Sequence, residues 1–167
     1  MRRVAFGLGA NLGDRVAALQ GAVDVIAPHL RLPAVSSVYE TSPVGGVEQP
    51  DFANAVLVGD SDGHPADLLS LAQEAERAWS RTRDVRWGPR TLDVDVLAVG
   101  DVVSDDPELT LPHPRAAQRG FVLVPWAEAD PDATLPDGSR VADLAVAWSA
   151  AASDHVEARH DVRLVLR

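Results

Sequence analysis

RTRDVRWGPRTLDVDVLAV, residues 81–99, joins a cationic loop to an acidic strand. Arg81, Arg83, Arg86 and Arg90 come first, with Trp87, Gly88 and Pro89 set among them. From Thr91 onward Leu and Val alternate with Asp93 and Asp95, the pattern of a β-strand. Side chains two apart in a strand share a face. Thr91, Asp93 and Asp95 are therefore expected on one side, and Leu92, Val94 and Val96 in the core. Two neighbouring carboxylates repel and invite a hard cation, while guanidinium groups suit phosphate oxygens. Together they suit a metal-bound polyphosphate; a solvated strand face carrying alternating acids is the plain alternative.

Outward from this strand, the element order decides the fold. Val4, Phe6 and Leu8 alternate as a first strand. GLGANLGD follows, but Leu12 stands where a dinucleotide-binding turn needs its third glycine. Val16, Leu19, Val23, Ile26 and Leu30 step by three and four as a helix, capped by Asn11 or Asp14, and a plain cap is the favoured role of Asn11 over a ligand contact. A second strand is expected over Leu32 to Tyr39 and a third over Phe52 to Val58. Between them lies a loop with Pro43, Gly45, Gly46 and Pro50. Asn54 sits among apolar neighbours on its strand and needs a partner, structural or ligand. A second helix starts at Pro65, with Leu68, Ala72, Ala75 and Trp79 inward. Gln73, Glu76 and Arg77 lie on an adjacent face and read most simply as solvated surface. The order is β-α-β-β-α-β, a ferredoxin-like α+β core with a mainly antiparallel sheet.

Downstream, short extended pieces are expected near Val102 and Leu109. A prolyl turn then carries His113, and helices follow over Phe121 to Ala129 and Val141 to Ala152. The tail alternates through Val156, Ala158, Val162, Leu164 and Leu166 and reads as a last strand at a sheet edge. His113 has no second histidine at zinc-ligand spacing. His113 and Arg119 suit phosphate contacts or, equally, a packed turn.

Composition excludes several classes. At 167 residues the length prior gives one domain, residues 1–167. Net charge is −10, which argues against a nucleic-acid surface. No cysteine is present, so there is no thiolate chemistry. All 15 basic residues are arginine, which removes the P-loop and protein-kinase lysines. The apolar N-terminal run is too short for a membrane span, and a cytoplasmic protein is expected.

Four segments together carry a resemblance: GLGANLGDR, SSVYETSPVG with QPDFANAV, RTRDVRWGPRTLDVDVL, and LTLPHPRAAQRGFVLVPW. Over about Val4 to Pro136 the chain resembles 6-hydroxymethyl-7,8-dihydropterin pyrophosphokinase of folate biosynthesis. The resemblance implies transfer of pyrophosphate from ATP to the pterin hydroxymethyl group, releasing AMP. It implies a three-layer α/β/α elaboration of the core and two Mg²⁺ ions on Asp93 and Asp95. It assigns Arg81, Arg83, Arg86 and Arg90 to a catalytic loop over ATP, with Arg81, Arg83 and Arg90 joining the two aspartates as catalytic residues. Gln73, Glu76, Trp87, His113 and Arg119 fall on the nucleotide side. Thr41, Ser42, Val44, Asn54 and Arg119 fall on the pterin, with Phe52 and Phe121 sandwiching its ring and Trp87 closing the site. It implies a monomer with small-molecule substrates and neither nucleic acid nor membrane as partner, although the last strand offers an edge for self-pairing. Asp84 inside the arginine loop and Ala10 in place of a common serine depart from the pattern. A non-catalytic effector module and a different ATP-dependent transferase remain as alternatives; AMP as product separates the latter.

Overall fold

The computed structural model describes residues 1–11, 13–41, 52–82, 92–151 and 156–167, with backbone alone at 81 and 82. Its elements run β1 (Arg2–Ala10), α1 (Arg15–Ile26), β2 (Arg31–Val35), β3 (Val38–Thr41), β4 (Phe52–Ser61), α2 (Pro65–Thr82) and β5 (Leu92–Val99). A hairpin of β6 (Ser104–Asp106) and β7 (Leu109–Leu111) follows, then α3 (Gly120–Ala129), α4 (Val141–Ala151) and β8 (Val156–Arg159).

Alternation in β1 sets the two sides of the fold. Val4, Phe6, Leu8 and Ala10 turn to one face and pack with Leu19, Val23 and Ile26 of α1 and Leu68, Ala72 and Ala75 of α2. Ala5 turns to the other, in a second core with Val56, Val58, Leu97, Leu123, Trp126 and Val141. Helices thus cover both faces, which is why β4 reads FANAVLV with scarcely a polar break. The strand order is β5-β1-β4-β3-β8, with β2 also on β4, and every one of these pairings is antiparallel. This is the β-α-β-β-α-β core elaborated into three α/β/α layers. A bulge opposite Ala5 and Phe6 directs both Leu97 and Ala98 into the second core.

Three expectations are corrected. The α1 cap is Asp14, whose Oδ1 accepts the Ala17 N–H at 3.0 Å, and not Asn11. The second strand is broken at Ser36 and Ser37. The Ser36 N–H donates to the Val56 carbonyl and its Oγ accepts the Val56 N–H, both at 2.9 Å. The Ser37 N–H donates to Glu128 at 2.9 Å. The last strand stops at Arg159, which pairs with Val38, the first residue of β3. Beyond Val38 the neighbouring chain has turned away, so the alternation of the tail finds no ladder. Leu164 instead enters the core beneath α1 and α2, while Leu166 is exposed.

Candidate active site

The site begins with two missing side chains. Gly9 of β1 pairs with Asn54 of β4 on one side and Asp93 of β5 on the other. Gly7 likewise lies between Val56 and Asp95. Directly paired residues share a face, so these two rows stand together on the side covered by α3 and α4. With no Cβ at Gly7 or Gly9, the floor between the polar residues is bare backbone. A Cβ on Gly9 would stand 3.3 Å from Asn54 Oδ1, and one on Gly7 3.2 Å from Leu97 Cδ2. A cavity of about 510 Å³ opens over this floor, a size that suits a small ligand.

Carboxylates crowd one edge of the cavity. Asp93 and Asp95 both line it. Burial raises the Asp93 pKa, and the charge of Asp95 raises it further. Glu76 reaches from α2, and its Oε2 accepts the Val94 N–H at 3.1 Å. Burial raises the Glu76 pKa, that hydrogen bond opposes the rise, and Asp93 and Asp95 add to it. His113 is fixed by its N–H donating to the Leu97 carbonyl at 2.8 Å. Its pKa is lowered by burial and by Arg119 and Arg115, against the pull of Asp95. The Arg115 N–H donates to His113 Nδ1 at 3.3 Å, so a neutral ring carries its proton on Nε2.

The rest of the lining suits a flat heterocycle. Asn54 Nδ2 donates to Thr41 Oγ1 at 3.1 Å in a buried contact, which holds the amide in place. The paired amide also settles how Asn54 is tolerated on an apolar strand. Phe52 and Phe121 both face the cavity. The Arg119 guanidinium carbon lies 5.4 Å from the Phe121 ring centroid, a cation–π contact at the mouth of α3. Aromatic faces, two fixed amide and hydroxyl groups, and a bare floor can hold a planar ring beside an acidic edge.

Thr41, Phe52, Asn54, Asp93, Asp95, Arg119 and Phe121 thus line one cavity. Glu76 stands close enough to feel the charges of Asp93 and Asp95, and His113 that of Asp95. Gln73 is exposed on α2 and does not reach the lining. Arg81 lies in the last turn of α2 with its side chain outside the described residues; Ser42, Val44, Arg83, Asp84, Arg86, Trp87, Arg90 and Thr91 lie outside them entirely. Sequence reading did not single out Gly7 and Gly9 as a floor, nor Trp148 and Val156 as walls. Two glycines spaced by two on a strand were the available signal for the floor. Trp148 falls on the stripe of buried Val141 and Ala145, so it looks like ordinary core.

A second cavity of about 470 Å³ lies at the far end of β1, near Arg3, Trp126 and Asp130. Arg3 there is already paired with Asp60 and Asp130, each at 3.3 Å. None of the candidate site residues lines it.

The family model of 7,8-dihydro-6-hydroxymethylpterin-pyrophosphokinase (HPPK) matches residues 5–131. The chain is 42% identical over 149 residues to the 2-amino-4-hydroxy-6-hydroxymethyldihydropteridine pyrophosphokinase of Pseudomonas aeruginosa, covering 88% of this chain and 92% of that one. It is 46% identical over 145 residues to the enzyme of the same name from Mycobacterium tuberculosis, covering 81% and 76%. Among solved structures, wild-type Plasmodium falciparum HPPK-DHPS superposes with a TM-score of 0.67 at 13% identity, over 89% of this chain and 45% of that one. An HPPK-DHPS in complex with substrates gives 0.69 at 10% identity, over 88% and 43%. This chain thus spans less than half of those structures, and the likeness concerns the fold.

Proposed function

The chain belongs to the 7,8-dihydro-6-hydroxymethylpterin-pyrophosphokinase family and transfers pyrophosphate in folate biosynthesis, and we propose that it does so in the cavity over Gly7 and Gly9. The pterin ring lies on the glycine floor between Phe52 and Phe121, with its polar edge on Asn54 and Thr41. Ser42, Val44 and Trp87 complete its enclosure, and the hydroxymethyl group points to Asp93 and Asp95. The observation that carries this reading is the meeting of paired carboxylates, a fixed amide and two phenyl rings in one cavity.

ATP enters on the carboxylate side, with Gln73 and Glu76 toward the nucleotide. Arg81, Arg83, Arg86, Arg90 and Arg119 bind its phosphates, because a guanidinium stays charged and grips phosphate oxygens in pairs. Neutral His113 presents its Nε2–H to a phosphate oxygen. The hydroxymethyl oxygen bonds to the β-phosphorus, the bond from that phosphorus to the α–β bridging oxygen breaks, and AMP departs with the electron pair. The hydroxyl proton is released. Protein work here is positioning and charge neutralisation, as in other phosphoryl transfers.

Two Mg²⁺ ions fit Asp93 and Asp95. Hard oxygen donors side by side suit Mg²⁺, and a divalent ion would relieve the repulsion from Asp95 that adds to the effect of burial on the Asp93 pKa. Bound there, Mg²⁺ would neutralise the triphosphate and lower the pKa of the attacking hydroxyl. Glu76 holds the Val94 N–H and so steadies the strand segment between the two ligands. Residues 1–167 act as one domain and as a monomer. No helix among the described residues is long and apolar enough to cross a membrane. A reaction fed by ATP fits the cytoplasm.

The test is product analysis with MgATP and 6-hydroxymethyl-7,8-dihydropterin. AMP is expected only when both are present, and ADP as the nucleotide product would refute the reaction. Asp95→Ala is expected to lower kcat by about 10²–10³-fold or more with the circular dichroism spectrum unchanged. Near-normal turnover in that variant would remove the metal assignment.

A further inference from the structure

We propose that Trp148 of α4 is a positioning residue for the pterin, so that the C-terminal helix forms part of the substrate site. This rests on the pterin occupying the cavity over Gly7 and Gly9. Trp148 lies outside residues 5–131, the segment matched by the family model.

Two observations meet at this side chain. First, Trp148 lines the same cavity as Phe52, Asn54 and Phe121. Its ring packs in part against the second core and stays partly exposed beside the cavity. Second, it lies flat against Gly120, the first residue of α3. A Cβ on Gly120 would come within 2.4 Å of Cε3, Cζ3 and Cη2 together, so it would point into the face of the six-membered ring. No real Cβ tolerates that approach. Gly120 is therefore the space that admits the indole.

Gly120 also stands between Arg119, assigned to the phosphates as well as the pterin, and Phe121, assigned to the pterin ring. Trp148 thus backs the peptide from which both project and lends its exposed edge to the wall. Val156 of β8 lines the cavity as well and pairs with Thr41. Asp93 and Asp95 sit on β5 at one edge of the sheet, while Val156 sits on β8 at the other. The C-terminal contribution therefore lies on the pterin side and away from the triphosphate. A pterin-selective role follows from that placement.

Steady-state kinetics of the full chain separate the possibilities. Trp148→Leu is expected to raise KM for the pterin by about tenfold, the cost of losing an aromatic wall, with KM for ATP unchanged. Trp148→Phe, which keeps a ring and protects against misfolding, should recover most of the difference. Gly120→Ala alone should raise the pterin KM, but in a Trp148→Ala background it should add little, because the clash is gone. If Trp148→Leu moves both KM values and kcat together in step with a fall in Tm, the residue is only packing and the inference is overturned. An unmoved pterin KM also overturns it. Asn54→Ala locates that failure. A raised pterin KM in Asn54→Ala confines the failure to Trp148, whereas a silent Asn54→Ala takes the cavity reading down with it.

Discussion

Asp93, proposed as a metal ligand, carries a charge that its surroundings disfavour. Its pKa is raised first by burial and then by Asp95. For an acid whose folded pKa lies above its unfolded one, the ionised form is disfavoured by folding. The penalty is absent below the unfolded pKa and grows as pH rises through the folded value, so it is fully present at neutral pH. Asp93→Asn removes that charge with little change in shape. In metal-free buffer at pH 7 the variant is expected to gain stability. Solvent screens the pair, so the gain is about 0.5 kcal/mol, or about 1–2 °C in Tm for a chain of this size. Scanning calorimetry should show the gain shrinking as pH falls toward the carboxylate range. Turnover should be lost at every pH. A Tm below that of the unaltered protein at pH 7 would mean that Asp93 is stabilising and that its repulsion from Asp95 is not felt.

Strands β1 and β5 show what could be read in advance and what could not. The period of two in LDVDV was sufficient to put both aspartates on one face, since a buried Leu and Val row leaves them no other side. Asn54 was legible for a similar reason, as a polar group on an apolar strand. The glycine floor was not, because a glycine in a strand says that something comes close without saying what. The pairing of Gly9 with both Asn54 and Asp93 supplies the answer, and it is a fact of register rather than of local sequence. The break at Ser36 and Ser37 was equally hidden. It depends on Val56 and Glu128, residues far along the chain. The floor has a direct test. In Gly9→Ala the new methyl presses on Asn54 Oδ1 and occupies the surface on which the ring is proposed to lie. The pterin KM is expected to rise on the order of tenfold, with KM for ATP unchanged. Unaltered pterin binding, read by calorimetric titration, would show that the ring does not lie there.

At the scale of the molecule, the C-terminal residues serve both faces of the sheet. α4 and β8 stand on the side of the cavity. Past Arg159 the chain crosses to the other side, where Leu164 is buried beneath α1 and α2. Gln20 of α1 holds it there: its Nε2 donates to the Val165 carbonyl and its Oε1 accepts the Val165 N–H, both at 2.8 Å. Arg167 adds an exposed contact to Asp24 at 3.2 Å. The alternation that suggested a strand is therefore the pattern of a short inward row, Leu164 buried and Val162 partly buried against the same core, with their neighbours out. An anchor on the face opposite the cavity should matter for stability and not for turnover. Leu164→Ala removes a buried side chain, for which about 2–3 kcal/mol is expected, or about 5–10 °C in Tm at this chain length. At 25 °C, where the variant remains folded, kcat/KM for both substrates should match the unaltered protein. A fall in kcat/KM without a fall in Tm would show that the tail acts on the site through the sheet; unchanged Tm and kinetics together would show that Leu164 is not anchored in the core.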